Sequence, residues 1–256
     1  MRFNLFKKNT AHASDKEDAT RILNDDTPFA VKEAYRTLGA NFLYLPIEDK
    51  CKKVAVTSAF PGEGKTFVSI NLAITMATGS EQRKILLIDA DMRKSRVMRL
   101  LNSNKYSKAS GLSEYLAGIE DTPNIVKTDY PNLDVLSSGA EAANPTGLLS
   151  SSKMESLMQI CNDRYDYVIF DTPPVNVVAD ALALNNRING YLIATRADYS
   201  DVNSLGQALD ALKKIEAEVY GIVLSSVDLK KSDGYRSNNK YGYSSYDGSG
   251  EKKSRS

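Results

Sequence analysis

The segment from Ala59 to Thr66, AFPGEGKT, constrains the fold of this chain more than any other feature. It lies between a short apolar run at 54–57, typical of a buried strand, and a helical pattern at 66–77. In such an arrangement, backbone N–H groups and the helix N-terminus surround phosphate groups. A lysine at position 65 adds positive charge at the β- and γ-phosphates, and the hydroxyl of Thr66 can ligate Mg²⁺.

This pattern predicts a P-loop, with Ala59 in place of the usual first glycine. The alternative, a glycine-rich turn with a chance Lys-Thr pair, does not explain why the segment joins a strand to a helix. The expected nucleotide contacts are Pro61, Gly62, Glu63, Gly64, Lys65, Thr66 and Phe67.

Short apolar runs alternate with helical patterns along the rest of the chain. Such alternation predicts an α/β fold, a P-loop NTPase with a mainly parallel sheet flanked by helices on both faces. The runs that predict strands lie at 85–88, 133–136, 167–170, 191–194 and 219–224, and the helical patterns at 144–161, 177–186 and 201–217.

Three aspartates follow two of these predicted strands. Asp89 and Asp91 are two residues apart in extended chain, so their side chains point the same way. Asp171 ends the run YVIFD before Thr-Pro-Pro, at the expected Walker B position. Because parallel sheets bind ligands at the carboxyl ends of their strands, these carboxylates should face the P-loop. An exposed acidic loop that caps a helix is the alternative for the first pair.

The chemistry expected of these residues is phosphoryl transfer. Thr66, Asp89 and Asp171 are the expected magnesium residues, and Lys65, Asp89, Asp91 and Asp171 the expected catalytic ones. One aspartate of the pair would orient or deprotonate a hydroxyl nucleophile, and the sequence leaves open which one. Arg93 is expected to be either a phosphate contact or a structural partner of the aspartates.

Charge and cysteine content exclude several classes of protein. The 33 basic and 32 acidic residues give a net charge of +1, so no nucleic acid is expected as a partner. Cys51 and Cys161 match no zinc spacing, and no signal peptide precedes them, which favours a reduced cytoplasm. The longest uncharged stretch, 66–80, is too short and too polar to span a bilayer.

We expect three regions along the chain. Residues 1–25 are a polar, mobile leader, residues 26–231 the P-loop domain, and residues 232–256 a disordered tail without aliphatic side chains. Asp26, as a capping side chain, and Pro28, as a first-turn proline, predict the start of the first helix of the domain. Residues 229–256 carry seven basic and three acidic side chains, a net charge of +4. Four tyrosines are concentrated in the tail: Tyr235, Tyr241, Tyr243 and Tyr246.

Together these motifs resemble those of the bacterial tyrosine kinases of the capsule and exopolysaccharide type, the CpsD/CapB group. Members carry a P-loop, an Asp-x-Asp-x-Arg segment, a Walker B segment ending in Asp-Thr-Pro-Pro, and a C-terminal tyrosine cluster. The resemblance runs from about residue 29 to 227. It implies an ATP- and Mg²⁺-dependent kinase that phosphorylates its own tail tyrosines between protomers and regulates capsular or exopolysaccharide synthesis and export.

The resemblance also implies partners. It implies a membrane-bound polysaccharide co-polymerase, or chain-length regulator, that recruits the kinase to the inner face of the cell membrane and activates it. It further implies a cognate tyrosine phosphatase and a ring-shaped homo-oligomer of unphosphorylated chains. Glu33 and Arg36 match the oligomer motif Glu-x-x-Arg-x-x-Arg, whereas Gly39 replaces its second arginine and puts ring strength in question.

Two further positions depart from the family pattern. Ser95 stands where proline is common, and Leu224-Ser225-Ser226 stands where many relatives have an asparagine near the adenine. The second departure leaves the choice of base open.

Two other functions remain as alternatives. A partition or septum-positioning ATPase shares the P-loop, but such proteins carry an extra lysine early in that loop, and residues 58–61 contain none. The tyrosine-rich tail is also unexplained by that function. A nucleotide-binding scaffold subunit of a polysaccharide machine would have the same motifs without phosphoryl transfer.

Overall fold

The computed structural model describes residues 18, 20–79, 81–101 and 110–228, and the elements below refer to that part. The tail tyrosines therefore lie outside the described residues. Seven strands form one sheet: β1 Lys52–Ser58, β2 Ile85–Asp89, β3 Ile125–Lys127, β4 Leu133–Leu136, β5 Tyr167–Asp171, β6 Gly190–Arg196 and β7 Val219–Ser225.

The order of the strands across the sheet is β3-β4-β2-β5-β1-β6-β7. All neighbouring pairs run parallel except β3 and β4, which are antiparallel. The predicted α/β fold with a mainly parallel sheet is confirmed. Strand β3 is absent from the sequence-based expectation because its three residues include only two apolar ones and none is fully buried.

Helices cover both faces of the sheet, and several differ from their predicted limits. The pattern at 144–161 is two helices, because Ser150 and Ser151 separate them. The pattern at 177–186 is replaced by turns and a 3-10 helix over Leu182–Arg187. The α-helices are α1 Phe29–Leu43, α2 Lys65–Thr78, α3 Val97–Leu100, α4 Leu112–Leu116, α5 Pro145–Leu149, α6 Ser152–Arg164 and α7 Val202–Lys214.

The start of α1 differs from the expectation that Asp26 caps it. The helix begins at Phe29, with Pro28 as the residue before it and no side-chain cap. Asp26 instead belongs to the preceding turn, where its backbone N–H donates to Asn24 Oδ1 at 2.9 Å. Proline is nevertheless found where the chain enters the helix, as predicted.

Alternate residues of the central strands pack against different helices. Ala55 and Phe170 face the side covered by α6 and α7, whereas Val54, Val56 and Ile169 face the side covered by α1 and α2. The central strands are buried on both faces, which is why they read as unbroken apolar runs. Among the described residues, no helix combines the length and apolar character needed to cross a bilayer.

The chain already packs against the domain before the predicted limit at residue 26. Ile22 and Leu23 are buried with the helices of the α1–α2 face. The backbone N–H of Leu23 donates to Asn71 Oδ1 at 2.9 Å, and Asn71 Nδ2 donates to the Arg21 carbonyl at 3.0 Å. These bonds fix the segment to α2, so ordered packing begins several residues earlier than composition suggested.

Candidate active site

The candidate site lies where β1, β2 and β5 end. The P-loop, residues 59–66, follows β1, which pairs with β5, which in turn pairs with β2. Asp89 and Asp171 are register partners on neighbouring strands, and Val56 of β1 is opposite Asp171. The fold therefore brings the three predicted segments to one edge of the sheet.

Two glycines give the P-loop its shape. Gly62 and Gly64 have φ values of +88° and +93°, a region that side chains of L-residues rarely adopt. A Cβ atom at Gly64 would also lie 2.7 Å from Ser225 Oγ. Helix α2 begins directly after Gly64, so its free N–H groups point toward the loop.

The side chain of Glu63 stabilises the loop rather than pointing to a ligand. Its carboxylate is buried, accepts a hydrogen bond from the Phe60 backbone N–H at 2.7 Å, and accepts another from the Ser200 hydroxyl. Ser225 Oγ donates to the Glu63 carbonyl at 2.9 Å. The nucleotide contact predicted for Glu63 would therefore be made by its backbone N–H. Phe67 is likewise buried, with the Arg21 guanidinium 4.2 Å above its ring.

Lys65 is held by two of the predicted aspartates. Its Nζ atom lies 3.0 Å from Asp91 Oδ2 and 4.0 Å from Asp171 Oδ1. Burial alone would lower the pKa of Lys65, but the carboxylates of Asp171 and Asp91 outweigh it and raise that pKa. The lysine is therefore a fixed positive charge in the site.

Asp171 faces the start of α2. It accepts a hydrogen bond from Ser69 Oγ at 3.2 Å. Burial raises the pKa of Asp171, and that effect is opposed by the positive charge of Lys65 and by the Thr66 side chain, which lies near enough to act on the carboxylate. The pairing of Thr66 with Asp171 is the donor set expected for a Mg²⁺–nucleotide site, in which one or two protein groups complete a shell of phosphates and water.

Asp89 makes most of its hydrogen bonds to the loop that follows β2. Its Oδ2 atom accepts from Ser95 Oγ at 2.8 Å and from the backbone N–H groups of Arg96 and Val97, both at 3.2 Å. Its Oδ1 atom accepts from the Asp91 N–H at 3.2 Å. Burial, followed by the charge of Asp171, raises the pKa of Asp89. Asp89 therefore holds the loop that carries Asp91, and direct metal binding by Asp89 stays a prediction.

Arg93 is paired with an aspartate that was not among the predicted site residues. Its Nε atom lies 2.7 Å from Asp180 Oδ2 and its Nη2 atom 3.1 Å from Asp180 Oδ1. Asp180 is fully buried and also accepts a hydrogen bond from the Thr146 hydroxyl. Of the two roles predicted for Arg93, the structure favours the structural one, although with Asp180 rather than with Asp89 or Asp91. Its contact with phosphate stays a prediction.

The predicted oligomer residues lie outside this cluster. Glu33 and Arg36 form an ion pair on α1, and the side chain of Arg36 is 62% exposed. Gly39 is buried against α2, where a Cβ atom would lie 3.6 Å from Thr75 Cγ2. The role of Glu33 and Arg36 in oligomer contacts stays a prediction.

Comparison with known proteins identifies the family. A family model described as an AAA domain matches residues 51–224. The tyrosine-protein kinase CpsD of Streptococcus pneumoniae is 35% identical over 195 residues, which cover 76% of this chain and 81% of that protein. The chain belongs to the bacterial tyrosine-protein kinases. YwqD of Bacillus subtilis, also a tyrosine-protein kinase, is 34% identical over 79% of this chain and 84% of its own length.

Solved structures of the bacterial tyrosine-protein kinases have the same fold. The kinase domain of Escherichia coli ETK superposes with a TM-score of 0.70 at 32% identity, covering 77% of this chain and 75% of that one. The cell division ATPase MinD of Pyrococcus furiosus superposes with a TM-score of 0.56 at 24% identity, which reflects the shared fold alone.

Several residues that shape the site were missed at the level of sequence. They belong to no common motif. Each forms a hydrogen bond with a residue distant in sequence, and most do so through a Ser, Thr or Tyr hydroxyl, a group found throughout the chain. Nothing in the sequence links Asp180 to Arg93, because the two are 87 residues apart. The missed residues are Ser69, Thr146, Asp180, Tyr199 and Ser200. Ser95 and Ser225 were named only as departures from the family pattern, and their hydrogen bonds to Asp89 and to the Glu63 carbonyl were not predicted.

Proposed function

We propose that this kinase uses Mg²⁺–ATP to phosphorylate its own C-terminal tyrosines, Tyr235, Tyr241, Tyr243 and Tyr246, between protomers. The observation that carries the proposal is the buried cluster of Lys65, Asp91 and Asp171 beside the P-loop. It combines the positive charge that the transferred phosphoryl group needs with carboxylates for a metal and for a hydroxyl proton.

The metal site would be formed by Thr66 and Asp171. Their hydroxyl and carboxylate oxygens are ligands that Mg²⁺ prefers, directly or through water. When bound, the metal would neutralise charge on the β- and γ-phosphates. Lys65 would leave Asp91 as the phosphates enter, because a triphosphate offers the ammonium group more negative charge than one carboxylate does.

Asp91 is the better candidate for the residue that accepts the tyrosine proton. Its Oδ2 atom contacts Lys65 alone among hydrogen-bond partners in the described part, so that oxygen becomes available when Lys65 moves to the phosphates. Its Oδ1 atom is held by the Lys94 N–H at 3.0 Å, which fixes the direction of the carboxylate. Asp89 would position Asp91 through the bond to the Asp91 N–H.

Phosphorylation would reverse the charge of the tail. Each phosphate adds about −1.5 to −2 charges, so four would outweigh the net +4 of residues 229–256. A change from basic to acidic favours dissociation of an oligomer built by unphosphorylated chains. A tail delivered within an oligomer would also reach a neighbour's site at high local concentration.

The resemblance of the motifs to those of the capsule and exopolysaccharide kinases supports a role in polysaccharide assembly at the membrane. We propose that a membrane-bound co-polymerase recruits and activates the chain there, that the kinase regulates capsular or exopolysaccharide synthesis and export, and that a cognate phosphatase reverses the reaction. The similarity to MinD supports only a shared fold, and the absence of an early P-loop lysine in residues 58–61 disfavours a partition or positioning ATPase.

The test is phosphotyrosine mapping after incubation of the full chain with ATP and Mg²⁺, with and without the cytoplasmic segment of the co-polymerase. Wild type should label the four tail tyrosines, and Lys65→Met should not. Lys84→Met is the matched control, because it removes an exposed lysine outside the site. Label that persists in Lys65→Met, or nucleotide binding without any phosphotyrosine, would contradict the proposal, and the second result would favour a scaffold subunit.

A further inference from the structure

The last residue of β6 and the turn after it hold the P-loop by its carbonyl groups. The hydroxyl of Tyr199 donates to the Pro61 carbonyl at 3.1 Å, and Arg196 Nη1 donates to the Gly62 carbonyl at 3.4 Å. The guanidinium of Arg196 also lies 5.3 Å from the centre of the Tyr199 ring. A Cβ atom at Gly62 would lie 3.2 Å from the Tyr199 hydroxyl, so loop and ring are in close contact.

Tyr199 is also accessible. The residue is 58% exposed, and Tyr44 at 85% is the other exposed tyrosine of the described ranges. A protein that transfers phosphoryl groups to tyrosine therefore presents an exposed tyrosine whose hydroxyl lies against its own P-loop.

We propose that Tyr199 is a regulatory phosphorylation site, modified by a second copy of this chain, and that its phosphorylation weakens ATP binding. The proposal rests on the kinase activity proposed above. In the reaction, the Tyr199 hydroxyl oxygen bonds to the γ-phosphorus of ATP, the bond between that phosphorus and the bridging oxygen breaks, ADP leaves, and the phenol proton passes to the base of the enzyme copy.

The neighbouring copy is the donor because of where the hydroxyl lies. The N–H groups of a P-loop face the phosphates, so its carbonyls point to the opposite side. Tyr199 contacts one of those carbonyls, that of Pro61. It therefore lies behind its own loop and away from its own γ-phosphate.

Phosphorylation of Tyr199 would weaken ATP binding in two ways. The phosphotyrosine has no hydroxyl proton to donate to Pro61, and its dianion would attract Arg196 into a bidentate pair and away from Gly62. The P-loop would lose both contacts while a negative charge arises against the loop itself. We expect ATP to bind at least about tenfold more weakly.

The first experiment maps phosphotyrosine in the full chain after incubation with ATP and Mg²⁺. Wild type should carry phosphate at Tyr199 and not at Tyr44, although Tyr44 is the more exposed of the two. Phosphate on the tail tyrosines but not on Tyr199 overturns this inference alone. If neither the tail nor Tyr199 acquires phosphate in a reaction that requires Lys65, the proposed function is overturned as well.

A mixing experiment tests the direction of transfer. Lys65→Met chains serve as acceptors and Tyr199→Phe chains as enzyme, so phosphate on Tyr199 can come only from another copy. Absence of phosphate from Tyr199 of the Lys65→Met chains, under conditions in which wild-type chains alone acquire it, contradicts transfer between copies.

The consequence for ATP is tested by affinity measurements on two variants. Tyr199→Glu should weaken ATP binding at least about tenfold, whereas Tyr199→Phe, which lacks only the hydroxyl, should stay within about threefold of wild type. Equal affinities of Tyr199→Glu and Tyr199→Phe would overturn the inhibitory role.

Discussion

The pair of Arg93 and Asp180 allows a quantitative prediction about stability. Arg93→Met removes two hydrogen bonds to a carboxylate with 0% exposure and leaves it with the Thr146 hydroxyl as its remaining hydrogen-bond donor in the described part. Removing one partner of a fully buried ion pair costs about 3–5 kcal/mol, and an exposed pair contributes about 0–1 kcal/mol. Because the Arg93 side chain is 40% exposed, water screens part of the interaction. We expect the free energy of unfolding to fall by about 2–3 kcal/mol.

Urea unfolding followed by circular dichroism measures this change, since the chain has no tryptophan to report on unfolding. Arg36→Met is the matched control, because it breaks an exposed pair within α1 and should cost no more than about 0.5 kcal/mol. In the background of Arg93→Met, Asp180→Asn should cost at least about 1 kcal/mol less than it does in wild type, because the unpaired charge is gone. Equal stabilities of Arg93→Met and Arg36→Met would refute the reasoning.

Three further predictions concern other parts of the domain. Gly39→Ala should raise the free energy of unfolding by up to about 1 kcal/mol in urea titration, because alanine has a higher helix propensity than glycine. The added Cβ would make ordinary contacts at 3.6 and 3.7 Å. A loss of stability would show that α2 leaves no room for that Cβ atom. Burial raises the pKa of Cys51 to about 11 and of Cys161 to about 12. Both thiols of the folded protein should therefore react slowly with a thiol-specific reagent at pH 8, whereas both should react fully once urea has unfolded the chain. Rapid reaction of the folded protein would contradict their burial. Ser95→Ala should lower the free energy of unfolding by about 1 kcal/mol, because Asp89 loses a 2.8 Å hydrogen bond, and an unchanged urea midpoint would contradict it.

The sequence could predict the features that depend on local pattern. Apolar runs located the central strands, and the aspartates that follow them had to lie at the carboxyl edge of a parallel sheet. For this reason the sequence alone predicts that Lys65, Asp91 and Asp171 lie together, and in the structure both carboxylates lie within 4.0 Å of the lysine Nζ atom.

Features that depend on distant pairs could not be predicted in the same way. Arg93 and Asp180 are 87 residues apart, and Tyr199 and Pro61 are 138 apart, so no spacing rule connects them. The break in the helical pattern at 144–161 is different, because it lies at Ser150 and Ser151, within a run of three serines that interrupts the apolar positions and is a local signal. Strand β3 could not be predicted, because an edge strand of three residues is too short to show a pattern of alternating apolar and polar residues.

The most direct test of the catalytic site is the rate of phosphoryl transfer by Asp91→Asn at saturating ATP and Mg²⁺, measured in a single turnover. Loss of a general base lowers such rates by about 10²–10⁴-fold, and we expect a loss in this range with ATP affinity changed by only a few-fold. Asp91→Asn keeps the shape of the side chain and its acceptor for the Lys94 N–H. A rate near that of wild type would contradict the assignment of Asp91 as the residue that accepts the tyrosine proton.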